Sequence, residues 1–291
     1  MRKKSCFIVA ICLTAAILCL CLTACGGELS AHDALLRNDL PEGYVLYSFN
    51  IRLETALEWG TRWSERREQV AAYIDGSGAD VLCLQEVKIS QYEYLRDNLT
   101  NYSVVWYGRD SSADTEGLAV LYTDEFEVER QTRFWLSETP DVQSVGWDAQ
   151  YPRICVNVLL RHESGDMLNV FNVHLDHIGD TSRTEGIKLV TERAESDGYP
   201  AVIAGDFNSG LSTDCYAAIS EKFDDAKNAA DSEGGYTYSN WGMMTEGGDP
   251  IDHIFLSRDL TADVYRVLYE FYGDGEYYSD HFAVGVRFRT A

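Results

Sequence analysis

Short apolar runs that recur from Tyr44 to the C-terminus constrain the fold of this chain more than any other feature. Each run is four to seven residues long and rich in Val, Ile, Leu or aromatic side chains, which is typical of β-strands. Three longer stretches, at residues 61–73, 92–99 and 182–196, space their apolar residues as surface helices do. Strands are predicted at residues 44–49, 80–84, 117–122, 154–160, 168–173, 201–204, 251–256 and 282–288.

Strands therefore outnumber helices, and hairpin-like neighbours alternate with strand–helix–strand units. This mixture favours an α/β fold in which two mixed, mainly antiparallel sheets pack together with helices outside, rather than a single parallel sheet. The chain has only five Pro residues and no linker-like stretch after Tyr44. Residues 44–291 are therefore predicted to form one domain.

The N-terminus has the pattern of an export signal. Arg2, Lys3 and Lys4 precede an apolar run of 17 residues, which ends in Leu-Thr-Ala-Cys at residues 22–25. This ending resembles a bacterial lipobox, so we expect a signal peptide over residues 1–24 and lipidation of Cys25. A plain transmembrane anchor is the alternative, but the run is at the short limit for a span. The expected location is extracytoplasmic, on a membrane lipid anchor, with residues 25–43 as a polar tether.

The cysteines agree with this division. Of the eight, only Cys83, Cys155 and Cys215 remain after the signal and the anchor. An odd number without zinc-site spacing predicts neither a disulfide framework nor a zinc site. We expect these three to be small buried side chains.

Charge bears on the substrate. The whole chain carries a net −23, and removal of residues 1–24, with three basic side chains and no acid, changes this to −26. Nucleic-acid binding needs a local cation for each phosphate contact, so a broad basic groove is not expected. Acidity lowers the expectation of a nuclease without excluding one, because a bound metal supplies positive charge where it is needed.

Polar side chains follow or precede the predicted strands at sites that an α/β fold brings to one rim. Carboxylates with an amide oxygen suit Mg²⁺, for which Mn²⁺ can substitute. An Asp can activate water, and a His held by a carboxylate can donate a proton to a phosphoryl oxygen. No nucleophile-elbow pattern is present, so a covalent intermediate is not indicated. The set comprises Asn50, Glu86, His174, Asp176, His177, Asp206, Asn208, Asp252, Asp280 and His281.

Six ordered segments make a specific resemblance. They are similar to the signatures of the endonuclease/exonuclease/phosphatase superfamily, which includes deoxyribonucleases, abasic-site endonucleases, deadenylases, sphingomyelinases and inositol polyphosphate phosphatases. The resemblance covers nearly all of the chain after Tyr44 and implies a four-layer α/β/β/α sandwich with metal-dependent phosphoester hydrolysis. The segments are Ser48-Phe49-Asn50, Leu84-Gln85-Glu86, Asn172-Val173-His174, Gly205-Asp206-Phe207-Asn208, Ile251-Asp252-His253 and Ser279-Asp280-His281.

The resemblance also implies a role for each matched residue. Glu86 would be the principal metal ligand, beside Asn50 and Asp280. Asp206 would activate the attacking water. Asn208 would hold the phosphate and the water, and His174 would be a further phosphate ligand. His281, oriented by Asp252, would bind and protonate a phosphoryl oxygen.

Some residues carry weaker expectations. Arg52 stands where some branches carry a further acidic ligand, which puts a two-metal mechanism in doubt and suggests a phosphate-facing cation or a salt bridge. Arg153 is expected to clamp phosphate, because a guanidinium matches phosphate oxygens, and His177 is a candidate for substrate binding. Trp135 and Trp147 suit stacking on a sugar or base and core filling equally well.

These observations leave several functions open. The leading one is a monomeric phosphatase or phosphodiesterase acting on a small phosphorylated metabolite, such as a sugar phosphate or nucleotide. An extracellular nuclease and a sphingomyelinase-like phospholipid hydrolase are enzymatic alternatives. A catalytically lapsed binding lipoprotein is the non-enzymatic one, against which the complete set of chemical residues speaks.

Overall fold

A computed structural model of the protein describes residues 30–36, 39–40, 42–55, 60–244 and 248–290. The predicted signal over residues 1–24 and the predicted lipidation site at Cys25 lie outside this range and stay predictions. No helix in the described part of the chain is both long enough and apolar enough to cross a bilayer.

Strands outnumber helices in the described part of the chain, and the longer elements mostly overlap the predicted ones. The α-helices there are α1 (Ala31–Leu35), α2 (Trp63–Asp75), α3 (Ile89–Asn98), α4 (Asp180–Asp197) and α5 (Asp214–Ser220). The strands there are β1 (Tyr44–Asn50), β2 (Val81–Lys88), β3 (Ser103–Gly108), β4 (Glu116–Tyr122), β5 (Phe126–Trp135), β6 (Ile154–His162), β7 (Met167–His174), β8 (Ala201–Asp206), β9 (Asp224–Asp225), β10 (Asp231–Glu233), β11 (Asp252–Leu256), β12 (Leu260–Leu268), β13 (Phe271–Tyr272), β14 (Glu276–Tyr277) and β15 (Ala283–Thr290).

The larger strands form two mixed sheets. The first sheet has the order β10-β12-β15-β1-β2-β4-β3, and the second has the order β5-β6-β7-β8-β11-β9. Within each sheet one central pair is parallel, β1 with β2 and β7 with β8, while β15 and β11 run antiparallel to β1 and β8. The expectation of two mixed, mainly antiparallel sheets is confirmed.

Successive side chains along each strand point to opposite faces of the sheet, and this alternation gives each sheet one core on either side. In β1, Leu46 points into the apolar core between the two sheets, whereas Val45 and Tyr47 join a separate core under α1, α2 and α3. Opposite faces for successive side chains follow from the pleat of a strand. On the other side, Phe171 of β7 packs in a third core with Ile187 of α4. The molecule is therefore the four-layer α/β/β/α sandwich that the resemblance implied.

A buried polar bridge joins the two sheets. Asn172 of the second sheet donates from Nδ2 to the carbonyl oxygens of Leu84 and Ala119 in the first, at 2.9 and 2.8 Å. Its Oδ1 accepts from Gln85 Nε2 at 2.8 Å. A buried side-chain amide that is hydrogen-bonded to the opposite sheet fixes the position of the two sheets relative to each other. A shift would break these hydrogen bonds and leave buried polar groups that water cannot reach. This bridge lies directly beneath the rim that carries the site residues.

Several elements depart from the sequence prediction. β3, β5, β12 and α5 were not expected. β5 is an edge strand whose outward side chains are charged, so its sequence lacks a clear apolar run. Part of the stretch predicted as a tether forms α1, and its Leu35 is fully buried against the first sheet. The described residues 30–36 therefore pack on the domain, since α1 contacts β12 and β15.

The body cysteines are as expected. Cys83, Cys155 and Cys215 are free thiols, and all three are buried. Burial raises the pKa of each thiol, so each stays protonated and unreactive at neutral pH.

Candidate active site

The site residues meet at one rim of the sandwich because of strand direction. β1, β2, β7 and β8 end there, whereas the antiparallel strands β11 and β15 begin there. The rim surrounds a cleft of about 440 Å³. Its described lining is Arg52, Leu53, Glu86, Arg109, Glu116, Tyr151, Arg153, His174, His177, Asp206, Asn208, Tyr238, Ile251, Asp280 and His281.

Glu86 does not end its strand, as the sequence suggested, but sits in a bulge within it. β2 continues to Lys88, and its register against β4 shifts between Leu84 and Val87. Glu86 has φ +60°, a left-handed conformation that is unfavourable for a residue with a Cβ. Its carboxylate accepts from the backbone N–H of Leu53 at 2.9 Å and from Asn50 Nδ2 at 3.1 Å. The bulge thus directs a carboxylate that is only 7% exposed toward the cleft.

Glu86 and Asp280 form an acidic pair that fits a divalent cation. Nη1 of Arg52 lies 3.8 Å from Glu86 Oε2 and 3.6 Å from Asp280 Oδ2, so both carboxylates face one point. Burial, and then the charge of Glu86, raise the pKa of Asp280 despite Arg52. The raised pKa reflects repulsion between two close carboxylates, which a cation bound between them would relieve. Two convergent carboxylates are the donor set that Mg²⁺ prefers.

Asn50 lies beneath the cleft, between Glu86 and Asp206. Its Nδ2 donates to Glu86 Oε1 at 3.1 Å and to Asp206 Oδ2 at 3.0 Å, while its Oδ1 accepts from the N–H of Arg52. Asn50 is fully buried and does not line the cleft. In this arrangement it links Glu86 to Asp206, and its role as a metal ligand stays a prediction.

Asp206 lies between two histidines. Its Oδ2 is 3.5 Å from His174 Nε2 and 3.8 Å from His281 Nε2. Its Oδ1 accepts from the N–H of Asn208 at 2.9 Å, which is possible because Asn208 turns the chain at φ +48°. Asn208 is further held by a hydrogen bond from its Nδ2 to the Leu175 carbonyl. Asp206 is thus a buried carboxylate that donors fix at the base of the cleft.

Asp252 holds His281 in its charged form. Asp252 Oδ2 accepts from His281 Nδ1 at 2.8 Å, and this hydrogen bond crosses from one sheet to the other. Burial alone would lower the pKa of His281, but the charge and hydrogen bond of Asp252 outweigh it, with help from Asp206 and Asp280, and raise the pKa to about 10. At neutral pH His281 therefore carries a proton on Nε2 that faces Asp206 and the cleft.

Asp206, Asp252 and His281 also place one ligand-type atom each within 4.8 Å of one another. The described residues that line the cleft therefore include two groups that could hold a cation, this set of three and the pair of Glu86 and Asp280.

The Asp252→Asn variant is expected to lower the pKa of His281 from its value of about 10, because an amide removes the largest stabilising charge while burial remains. The histidine proton resonances of metal-free protein, followed by NMR against pH, report this directly. The exposed Asp224→Asn variant serves as the control and should leave the titration unchanged. A His281 pKa that stays near the wild-type value in Asp252→Asn would refute the role of Asp252.

The opposite wall of the cleft contains charged groups that the sequence analysis missed. Glu116 opens β4 and is buried between Arg109 Nη1, at 3.0 Å, and His174 Nδ1, at 3.4 Å. Burial alone would raise the pKa of Glu116, but His174, Arg109 and Arg153 hold it well below the usual range. The sequence does contain a signal for Glu116, since it is an acidic residue directly before an apolar strand. Asp280 lies at the same kind of boundary.

Arg153 and His177 line the cleft but are bonded to protein groups. Arg153 is 6% exposed, and its Nε lies 3.3 Å from Asp176 Oδ2 while its Nη2 donates to His177 Nδ1 at 3.2 Å. Both residues thus form part of a paired wall of the cleft, and their expected roles in phosphate and substrate binding stay predictions. Trp135 is buried in the core between the sheets, and Trp147 does not line the cleft.

The loop that carries Arg52 is fixed from below by Arg66, which the sequence analysis also missed. Arg66 is almost fully buried and donates to the carbonyl oxygens of Ile51, Arg52 and Tyr278 at 2.6 to 2.9 Å. It thereby ties the end of β1 to the segment before Asp280. This contact holds the Arg52 loop beside the segment that carries Asp280.

Comparison with known proteins places the fold and site in one family. A sequence model described as "Endonuclease/Exonuclease/phosphatase family" matches residues 47–281. A family protein from Bacteroides thetaiotaomicron is 31% identical with a TM-score of 0.80, covering 86% of this chain and 98% of its own. A mannosyl-6-phosphatase from the same species is also 31% identical, with a TM-score of 0.79 and coverage of 84% and 99%. An uncharacterized protein of Acanthamoeba polyphaga mimivirus is 26% identical over 251 residues, which are 78% of this chain and 92% of that protein.

The matched region contains all the site residues from Asn50 to His281. The chain therefore belongs to the endonuclease/exonuclease/phosphatase family, a family of hydrolases that act on phosphoester bonds.

Proposed function

We propose that this protein is a Mg²⁺-dependent hydrolase that cleaves the phosphoester bond of a small phosphorylated metabolite. The observation that carries the proposal is the position of Asp206. Its carboxylate faces the protonated His281 in the same cleft as the acidic pair of Glu86 and Asp280. A base, an acid and a cation position thus surround one space.

The protein groups divide the chemistry as follows. Asp206 accepts a proton from the attacking water, and Asn208, whose N–H fixes the carboxylate, lies beside the reacting phosphate. His281 donates its Nε2 proton to a phosphoryl oxygen, while Asp252 stabilises the imidazolium until transfer. As the water oxygen bonds to phosphorus, the phosphorus–oxygen bond to the leaving group breaks, and the leaving oxygen takes up the proton that Asp206 removed from the water. His174, 3.5 Å from Asp206, provides a further donor to the phosphate.

Glu86 and Asp280 would hold the cation, with Mn²⁺ as a substitute for Mg²⁺. When bound there, the cation neutralises phosphate charge and stabilises charge that develops during hydrolysis. Arg52 lies near both carboxylates, so its guanidinium adds a second positive charge beside the cation position.

Two observations favour a small substrate over nucleic acid. The net charge of −23 is unfavourable for a polyanion, which needs many local cations. A solved protein that is 31% identical over nearly all of its own length is a mannosyl-6-phosphatase, an enzyme whose substrate is a phosphorylated sugar. The predicted lipid anchor at Cys25 would place this activity outside the cytoplasm.

Chelation of divalent metal is expected to abolish phosphate release, and added Mg²⁺ is expected to restore it. Release should be measured with sugar phosphates, nucleotides, single- and double-stranded DNA, RNA and sphingomyelin. Small phosphoesters should give the highest kcat/KM. A metal-independent activity would refute the proposed chemistry. A preference for DNA or RNA that falls steeply with salt would instead identify a nuclease.

A further inference from the structure

Beside the reacting groups, the cleft has a second end that the proposed chemistry does not use. It is formed by Tyr151, Arg109 and His177, with Glu116 and Arg153 behind them, and we call it the Tyr151 end. Arg109 lies 4.9 Å from the centre of the Tyr151 ring, and the ring stacks against His177 at 6.1 Å with an interplanar angle of 17°. Tyr151 is nevertheless 41% exposed, so a ligand in the cleft can reach it.

The Tyr151 end is close to the reacting groups. His174 lies with Nε2 3.5 Å from Asp206 and with Nδ1 3.4 Å from Glu116. A single imidazole therefore separates the carboxylate that faces the phosphate from the charged wall behind Tyr151. A phosphate held beside Asp206 would place its leaving group against this wall if the group is about the size of one sugar ring.

Charge pairing in this wall indicates what it can recognise. Arg109 is paired with Glu116 at 3.0 Å, and Arg153 is paired with Asp176 at 3.3 Å. The two cations are thus matched by two buried carboxylates, and little positive charge is left to hold a second phosphate. Alternating donors and acceptors suit hydroxyl groups, which donate and accept hydrogen bonds at once.

The ring of Tyr151 adds an apolar surface and a polar tip. Within the described residues its hydroxyl has no hydrogen-bond partner, and the aromatic ring lines the cleft. An exposed aromatic residue beside paired charged groups matches a sugar ring, whose C–H faces are apolar and whose edges carry hydroxyls.

We propose that the Tyr151 end is the leaving-group subsite, and that it selects an uncharged, hydroxyl-rich leaving group such as a monosaccharide. This inference rests on the proposed function, since it names the substrate class of the same cleft. Tyr151 and Arg109 are then specificity residues. The reacting groups at the other end remain the same for any phosphoester.

The test compares substrates with and without a sugar in wild-type, Tyr151→Ala and Tyr151→Phe enzymes. With hexose 6-phosphates, Tyr151→Ala is expected to raise KM about tenfold with a much smaller change in kcat, as the loss of one aromatic contact predicts. Acetyl phosphate, which has no sugar, should be affected much less. Tyr151→Phe, which keeps the ring, should retain most of the discrimination. Tyr199→Ala removes a tyrosine of similar exposure, 39%, away from the cleft and should match wild type.

A binding measurement that needs no turnover accompanies the kinetics. Saturation-transfer NMR of methyl mannoside or methyl glucoside with metal-free protein should give a signal in wild type and a weaker one in Tyr151→Ala. Far-UV circular dichroism checks that the variants are folded.

The outcomes separate the two proposals. Equal loss for hexose phosphates and acetyl phosphate in Tyr151→Ala would overturn the subsite and leave the proposed function standing. A wild-type preference for fructose 1,6-bisphosphate or an oligonucleotide over hexose monophosphates would do the same. Absence of Mg²⁺-dependent release from every phosphoester would overturn the proposed function, and the subsite with it.

Discussion

Replacement of Asp206 by Asn is expected to lower kcat by about 10³- to 10⁴-fold, near the upper range for loss of a general base. The amide keeps the size of the side chain and can still accept from the Asn208 N–H, but it cannot take a proton from water. KM should change little, because the groups around the phosphate remain. Initial rates of phosphate release at saturating substrate and Mg²⁺ measure the effect.

Asp225→Asn is the matched control for this prediction. Asp225 is also buried in the second sheet, but it bonds Tyr216 and lies outside the cleft. Its variant should keep wild-type kcat. A kcat within tenfold of wild type in folded Asp206→Asn would show that another group activates the water.

Replacement of Glu86 by Gln is expected to reduce kcat/KM by about 10²- to 10³-fold at millimolar Mg²⁺, which corresponds to several kcal/mol of lost charge stabilisation. The amide can replace the acceptor for Leu53 N–H, so the bulge should persist, but the negative charge at the cation position is halved. The Mg²⁺ concentration for half-maximal rate should rise, and excess Mg²⁺ should recover part of the loss.

A Mg²⁺ titration of the rate separates this explanation from simple damage to the fold. The control is Asp80→Asn, which removes a partly buried carboxylate just before the start of β2, at the opposite end of that strand from Glu86. It should leave the Mg²⁺ dependence as in wild type. If Glu86→Gln required no more Mg²⁺ than wild type, the cation would have to be held elsewhere.

The sequence analysis predicted the rim well because rim residues follow a local rule. Each lies at the boundary between an apolar strand and a polar segment, and that boundary can be seen without knowing which strands pair. The same rule could have found Glu116, which directly precedes an apolar strand. It was overlooked because the resemblance supplied six motifs and none of them includes this position.

Other features depend on contacts that no local pattern records. The bulge at Glu86 exists only relative to β4, 30 residues later in the chain, so the strand was predicted to end where it only shifts register. The hydrogen bond from Asn50 to Asp206, which lies 156 residues away, could not be predicted from either segment alone. β5 was missed since an edge strand with charged outward side chains has little apolar character.

The polar bridge between Asn172 and the first sheet has a consequence for when activity arises. The acidic pair belongs to one sheet, whereas Asp206 and Asp252 belong to the other, and the bridge sets their spacing. A folding intermediate with either sheet formed alone would contain half of the chemistry and would be inert. Turnover is therefore a late event in folding, acquired when the sheets dock and not when their strands first pair.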